Sequence, residues 1–277
     1  MKFAICNETF LDWPFERAFA FAAECGYTGI EFAPFTMASD AREVSPHQRQ
    51  QVRRQAETAG LDVVGLHWLL AKTSGYYLTS PDAEVRRRTA AYVQELARLA
   101  RDLGGSRMIF GSPQQRNLLP GVTPEQALDY AAEVVSAALP VLEETGVTLC
   151  LEPLGPAEGD FLVTTAEAVR LIEKIDHPSV RLILDCKAMS SEAAPIPELI
   201  RRHIGHLAHF HANDPNRQGP GFGELDFVPI LAALEEVGYQ GWVSVEVFDY
   251  TPGVERLARE SIANLKQALG KSAKASD

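Results

Sequence analysis

Basic residues are in deficit: 26 Lys plus Arg stand against 37 Asp plus Glu in 277 residues, a net charge of −11 with neutral His. A surface of that sign repels phosphate backbones and anionic lipid, which argues against a nucleic-acid or membrane-surface binder and leaves room only for a focused basic pocket. Long apolar runs are missing too. No stretch approaches the roughly 18 apolar residues of a membrane span. Cysteine is scarce, with Cys6, Cys25, Cys150 and Cys186 widely spaced and no CxxC pair. That excludes a disulfide scaffold and reads as reduced, mostly buried thiols of a cytosolic protein. The opening MKFAICNETF carries one lysine and an apolar stretch too short for a signal peptide, so a cytoplasmic location is the expectation. What is present, 46% hydrophobic and 23% charged residues, is the make-up of a globular enzyme rather than a disordered or fibrous chain.

The informative regularity is alternation. Strand-length apolar runs at 3–6, 29–32, 61–67, 107–110, 147–152, 180–185, 206–211 and 242–246 are each followed by a stretch of helical period. The helices fall at 14–25, 45–59, 82–103, 123–146, 165–175, 196–203, 227–237 and 254–269. Ser45 and Thr123 sit as N-caps ahead of prolines, Gln126 completes a capping box, and Gly60, Gly104 and Gly146 stand where helices close. Eight strand–helix units in a chain of this length predict a single-domain α/β protein, a (β/α)₈ TIM barrel over 1–269. The small, polar residues 270–277 predict a flexible C-terminal tail. A doubly wound sheet shares the alternation, but it usually carries a Gly-rich turn after its first strand. Here that strand runs into Asn7-Glu8-Thr9-Phe10, with no glycine.

In such a barrel, functional groups gather at the C-terminal ends of the strands. Four successive strands end in a residue able to bind metal: Glu152, Asp185, His211 and Glu246. One acid at a strand end is commonplace, and Asp185 alone could simply cap the next helix. Four in a row converge on one side of the mouth. Three carboxylates and an imidazole are a hard, oxygen-rich set that suits Mn²⁺ or Mg²⁺, with Co²⁺ or Zn²⁺ also accommodated. An octahedral ion held by four protein groups keeps two positions for neighbouring substrate oxygens, as in a hydroxy-ketone. Loss of the intervening proton then gives a metal-stabilised enediolate, with rim carboxylates moving the proton.

The motifs LEPLG (151–155), LILD (182–185), HFHAND (209–214) and VSVEVF (243–248) resemble, in residue type and order, the xylose-isomerase-like TIM barrels. Sugar phosphate isomerases and epimerases belong there, and the likeness is in particular to the D-tagatose 3-epimerase and ketose 3-epimerase branch. The resemblance runs over essentially the whole chain. It implies a divalent-metal-dependent sugar isomerase or epimerase whose metal ligands are Glu152, Asp185, His211 and Glu246. Glu152 and Glu246 would double as the acid–base pair, and Glu158 and Arg217 would contact substrate. Two departures stand out. Ala188 occupies the place of a family histidine, three residues after Asp185, and Gly155-Pro156 replaces a polar Asn-Arg pair. Lys187 could supply the missing donor if the strand continued past Asp185, or could snorkel outward.

Further residues follow from strand ends. His67 could hydrogen-bond substrate and Trp68 could stack on a sugar face, or both could be core. Asn7 and Glu8 could reach a polyol or simply begin a helix, and Glu31 fits either the mouth or a core ion pair. His209, two residues before His211, reads as a satisfied core histidine. Asn213 and Asp214 could orient ligands or start the loop. The segment Gly219-Pro220-Gly221-Phe222-Gly223 lacks P-loop spacing and reads as a tight loop that makes room for substrate. The leading expectation is thus epimerisation or isomerisation of a keto sugar or related polyol. A lyase or dehydratase on the same enolate chemistry is the alternative. A multi-zinc phosphodiesterase is disfavoured by the acidic charge and only seven histidines, and a non-catalytic barrel would seldom keep four ligand-type residues. The expected partner is a small sugar or polyol, with no nucleic acid and no membrane. Apolar stretches such as 68–70, read as exposed, are compatible with a homodimer or homotetramer.

Overall fold

The computed structural model describes residues 1–275 and shows a closed barrel of parallel strands in sequential order. The strands are β1 (Lys2–Cys6), β2 (Gly29–Phe32), β3 (Asp62–Leu66), β4 (Arg107–Phe110), β5 (Thr148–Leu151), β6 (Val180–Asp185), β7 (Leu207–Ala212) and β8 (Trp242–Val245). The helices around them are α1 (Phe15–Cys25), α2 (Pro46–Thr58), α3 (Ala83–Leu103), α4 (Pro124–Thr145), α5 (Thr165–Ile175), α6 (Cys186–Met189), α7 (Ile196–His203), α8 (Phe227–Glu236) and α9 (Val254–Ala275). Pairing of β1 with β8, Ala4 opposite Ser244, closes the ring. The expected TIM barrel is therefore present.

Local chemistry sets the element boundaries. The Thr123 hydroxyl accepts from the Gln126 N–H while the Gln126 side chain accepts from the Thr123 N–H, so two otherwise orphaned donors at the start of α4 are satisfied. Such a cap contributes about 1 kcal/mol. Gly26, Gly104 and Gly146 end α1, α3 and α4 in left-handed backbone. The expectation of a tail from residue 270 does not hold at its start. Helix α9 continues through Gly270 to Ala275, Ser272 is buried, and only residues 276 and 277 lie outside the described part. One glycine costs a helix about 1 kcal/mol, which packing along the rest of α9 offsets.

Burial divides the strands by period two. Met108, Phe110, Leu149, Leu151, Leu182 and Leu184 face the helices and join the main core, while Ile109, Cys150 and Ile183 form a small separate cluster inside the barrel. Two residues further along those inward rows come Gly111, Glu152 and Asp185. The inward row of β7 runs from His209 to His211 and that of β8 from Ser244 to Glu246. The same alternation that fills the lower barrel with small apolar groups thus delivers carboxylates and an imidazole to the mouth. Register shifts at Ile30/Glu31 in β2 and at Leu182/Ile183 in β6 adjust how Glu31 and Asp185 are presented. All four cysteines are free thiols, three of them buried. Among the described residues no helix is long and apolar enough to cross a membrane.

Candidate active site

Glu152, Asp185, His211 and Glu246 each offer a ligand atom within 4.8 Å of the others, all buried at the barrel mouth. His211 is central. Its Nδ1 lies 3.1 Å from Glu246 Oε2 and 3.6 Å from Glu152 Oε1, and its Nε2 lies 3.1 Å from Glu31 Oε1. With Nε2–H donated to Glu31, Nδ1 is turned to the two glutamates, where it donates a hydrogen bond when protonated and offers its lone pair to an ion when neutral. Glu31 is itself held from the far side by His209 Nε2 at 2.8 Å. Burial pushes the Glu31 carboxyl up, but His209 and His211 beside it together hold it well below the usual carboxylate range. Glu31 and His209 are thus structural support beneath the mouth, as the core reading of His209 anticipated.

Asp185 both caps and faces the site. Its Oδ1 accepts the Ala188 N–H at 2.8 Å, starting α6, and its Oδ2 accepts Asn213 Nδ2 at 2.6 Å. Each oxygen retains a second lone pair for a ligand. Asn213 is fixed in turn by the Lys187 N–H, 2.9 Å from its Oδ1. Asn213 therefore orients Asp185. Asp214 instead organises the following loop, accepting the Gly223 N–H at 3.1 Å. A Cβ at Gly223 would collide with the Asp214 carboxylate, which is why glycine stands there. Glu152 is pinned through its main chain: Arg116, wholly buried, donates from Nη1 to the Glu152 carbonyl at 2.6 Å. The same guanidinium reaches the carbonyls of Phe110 and Leu162.

Electrostatics describe a site with too much negative charge. Burial pushes the Glu152 carboxyl up to about 7 against its hydrogen bond with His211, with Glu246 and Asp185 repelling from either side. Burial likewise raises the Asp185 carboxyl. Burial acts upward on Glu246 also, but His211 beside it wins and brings that carboxyl down. Three buried carboxylates converging on one imidazole nitrogen fit a divalent cation, which would neutralise their mutual repulsion. The donor set of oxygens and one nitrogen belongs to the hard to intermediate ions.

Glu152, Asp185 and Glu246 line a cavity of about 90 Å³, whose walls also include Trp68, Ser112, Glu158, Lys187, Arg217 and Phe248. Glu158, Lys187 and Arg217 are therefore in the mouth, as expected from sequence. The route of Lys187 differs from the one expected. The strand stops at Asp185, and it is the helical turn α6 that turns Lys187 inward to an ion pair with Glu158, its Nζ 4.8 Å above the Phe248 ring. Outward snorkelling is overturned: only 11% of the side chain is exposed. Arg217 has left-handed backbone, φ 72°, and its carbonyl accepts the N–H groups of Phe248 and Asp249. That straps the β7 loop to the β8 loop.

Of the two readings of His67, substrate contact or core, the structure has the core one. His67 is fully buried, bonds Glu8 Oε2 through Nε2 at 2.7 Å, and does not line the cavity. Asn7 holds the Ala33 N–H and Thr36 and so shapes the neighbouring loop. Sequence reasoning missed one residue, Arg116, and one contact, that of Trp68. Arg116 sits in a Gln-Gln-Arg-Asn stretch that reads as solvated loop, with no signal of its burial. Trp68 reads as either a sugar-stacking ring or core; it lines the cavity, and its indole N–H bonds Glu246 Oε1 at 2.9 Å, a partner 178 positions away.

Residues 19–268 match the family described as Xylose isomerase-like TIM barrel, and the chain belongs to that family. The D-psicose 3-epimerase of Ruminiclostridium cellulolyticum is 30% identical over 176 residues, which span 62% of this chain and 59% of that protein. The D-psicose 3-epimerase of Agrobacterium fabrum is 27% identical over 238 residues, covering 83% of this chain and 78% of the other. Among solved structures, D-psicose 3-epimerase with D-tagatose from Clostridium cellulolyticum H10 gives a TM-score of 0.84 at 23% identity. That match covers 97% of this chain and 99% of the other and shows likeness of fold. These sequence relatives are sugar epimerases.

Proposed function

We propose that this protein is a divalent-metal-dependent epimerase or isomerase of a keto sugar or related polyol, with Glu152 and Glu246 as the acid–base pair. The observation that carries the reading is the pair of glutamates flanking one imidazole nitrogen, 3.6 and 3.1 Å from His211 Nδ1, on the floor of a cavity walled by Trp68 and Phe248. Glu152, Asp185, His211 and Glu246 would hold the ion, Mn²⁺ or Mg²⁺ being preferred and Co²⁺ or Zn²⁺ accommodated. When bound, the ion supplies electron withdrawal from two adjacent substrate oxygens, which acidifies the C–H beside the carbonyl. One glutamate then takes the proton from that carbon. The other, protonated, returns one to the opposite face for epimerisation, or to the neighbouring carbon for isomerisation. Lys187, locked to Glu158, presents an ammonium donor beside Ala188 and would hydrogen-bond a substrate oxygen, with Arg217 reaching another. Trp68 and Phe248 would exclude water and pack against the sugar's C–H face.

Proton NMR of the Mg²⁺-loaded protein with a panel of ketoses and keto-polyols in D₂O tests this. Loss of the proton α to the carbonyl, with an epimer or aldose appearing, is the expected result. Unsaturated or shortened products would move the assignment to a lyase. No exchange and no bound ion would remove the catalytic reading altogether.

A further inference from the structure

Trp68 is held in an unusual way for a cavity wall. Its backbone is left-handed, φ 53°, a conformation that costs a bulky L-residue of order 1 kcal/mol or more and persists where surrounding contacts over-determine it. Those contacts come from separate parts of the chain. Phe35, after β2, meets the indole edge-on at 6.2 Å, and Phe248, after β8, tilts against it at 6.0 Å. Held so, the indole N–H points at Glu246 Oε1, 2.9 Å away. The other oxygen of that carboxylate, Oε2, faces His211 Nδ1. The two oxygens of Glu246 therefore have different neighbours, and rotation about its last bond would break both contacts. Indole offers one donor and no acceptor, so it can bind this carboxylate but cannot exchange a proton with it at working pH.

We infer that Trp68 is a positioning residue: its indole N–H fixes the rotation of the Glu246 carboxylate, directing Oε2 to the ion and keeping Oε1 at the substrate. The inference rests on the reading of Glu246 as ligand and base. Partners that orient a metal ligand from behind typically contribute about 10- to 100-fold in ion affinity or activity. The cost of the strained backbone at Trp68 is thereby offset by order at the reacting carboxylate.

The test replaces Trp68 by 3-benzothienylalanine, which keeps shape and aromatic face but substitutes sulfur for the N–H. Mg²⁺ and Mn²⁺ affinities are read by calorimetry and exchange kinetics by NMR. In parallel, the three Trp indole ¹⁵N–¹H resonances of the ion-free protein are compared with those of Glu246→Gln. The expected result is ion affinity or kcat down about 10- to 100-fold with KM within twofold. One indole resonance, assigned to Trp68 by its loss in Trp68→Phe, should shift upfield in Glu246→Gln because a neutral amide accepts more weakly. If that resonance does not move, or the isostere keeps wild-type ion affinity and kcat, the positioning role is overturned and Trp68 is a wall only. If the isostere loses ion affinity while the wild type turns over no sugar, the positioning role stands and the proposed reaction falls.

Discussion

Substituting Gly111 by Ala adds one methyl group at the most sensitive point of the site. Gly111 is the inward residue just past β4, and a Cβ there would collide with Glu152 Oε2. Its backbone is not in the left-handed region, so alanine adds no conformational strain and the barrel should fold normally. Behind Glu152 there is little slack, because Arg116 grips its carbonyl at 2.6 Å. The carboxylate must yield instead, and restoring ordinary van der Waals contact moves it by about 1 Å. A misplacement of that size costs on the order of 100-fold in turnover, and the altered ligand geometry should weaken ion binding in step. Calorimetric titration with Mn²⁺, thermal unfolding and NMR exchange kinetics on the same preparation separate the effects. Gly111→Ala with an unchanged melting temperature, weaker ion binding and about 100-fold slower exchange is the expected outcome. Ion affinity and turnover both within twofold of wild type would refute the placement of Glu152 at the reacting centre.

Further predictions follow from other parts of the structure. Arg116→Met should destabilise the fold by about 1–3 kcal/mol, because the buried Glu152 carbonyl loses its guanidinium donor, and urea midpoints check this. Lys187→Met should raise KM for the true substrate more than it lowers kcat, since Lys187 lines the cavity without being among the clustered ligands; equal losses in both would argue that it moves a proton. Far from the site, burial raises the Asp102 carboxyl, but Arg101 and Arg49 bring it below its ordinary value. A depressed folded-state pKa gives stability that is present above the unfolded value near 3.8 and lost as pH falls through the lower folded one. Asp102→Asn should therefore cost about 0.5–1 kcal/mol at pH 7, after allowance for its partial exposure, and nothing once the wild-type carboxyl is protonated. Unfolding curves at the two pH extremes decide it. Adding Mg²⁺ at about 100 times its dissociation constant to chelator-stripped protein should stabilise it by roughly 2.7 kcal/mol, and an unchanged melting temperature would deny the ion a native site.

The barrel and its four convergent groups were legible in the sequence for one reason: strand periodicity is strictly two and the barrel presents one end of every strand to the same mouth. Knowing that Cys150 and Ile183 point inward places Glu152 and Asp185 inward as well. Residues beyond the last strand position were harder, because there the chain leaves the periodic rule. Strand periodicity offers Lys187 either an inward place on a continuing strand or outward snorkelling, yet Asp185 caps a helical turn at once, and that turn brings Lys187 in by a third path. His67 fits either substrate contact or the core by sequence, and its partner Glu8 decides for the core, a pairing between the segments that follow β1 and β3 that no local pattern announces. Arg116 lay hidden because its partners are main-chain carbonyls of Phe110, Glu152 and Leu162, which leave no mark in side-chain composition. The end of α9 was misread because Gly270 breaks propensity without breaking the helix.

The most direct test of the central claim is deuterium incorporation at the carbon beside the carbonyl, measured side by side for Mg²⁺-loaded wild type, Glu152→Gln and Glu246→Gln in D₂O. The amides keep an oxygen for the ion but cannot take a proton. The two-glutamate account predicts exchange with epimer formation in wild type and a loss of about 100- to 10,000-fold in each variant. Either variant epimerising at the wild-type rate would contradict it.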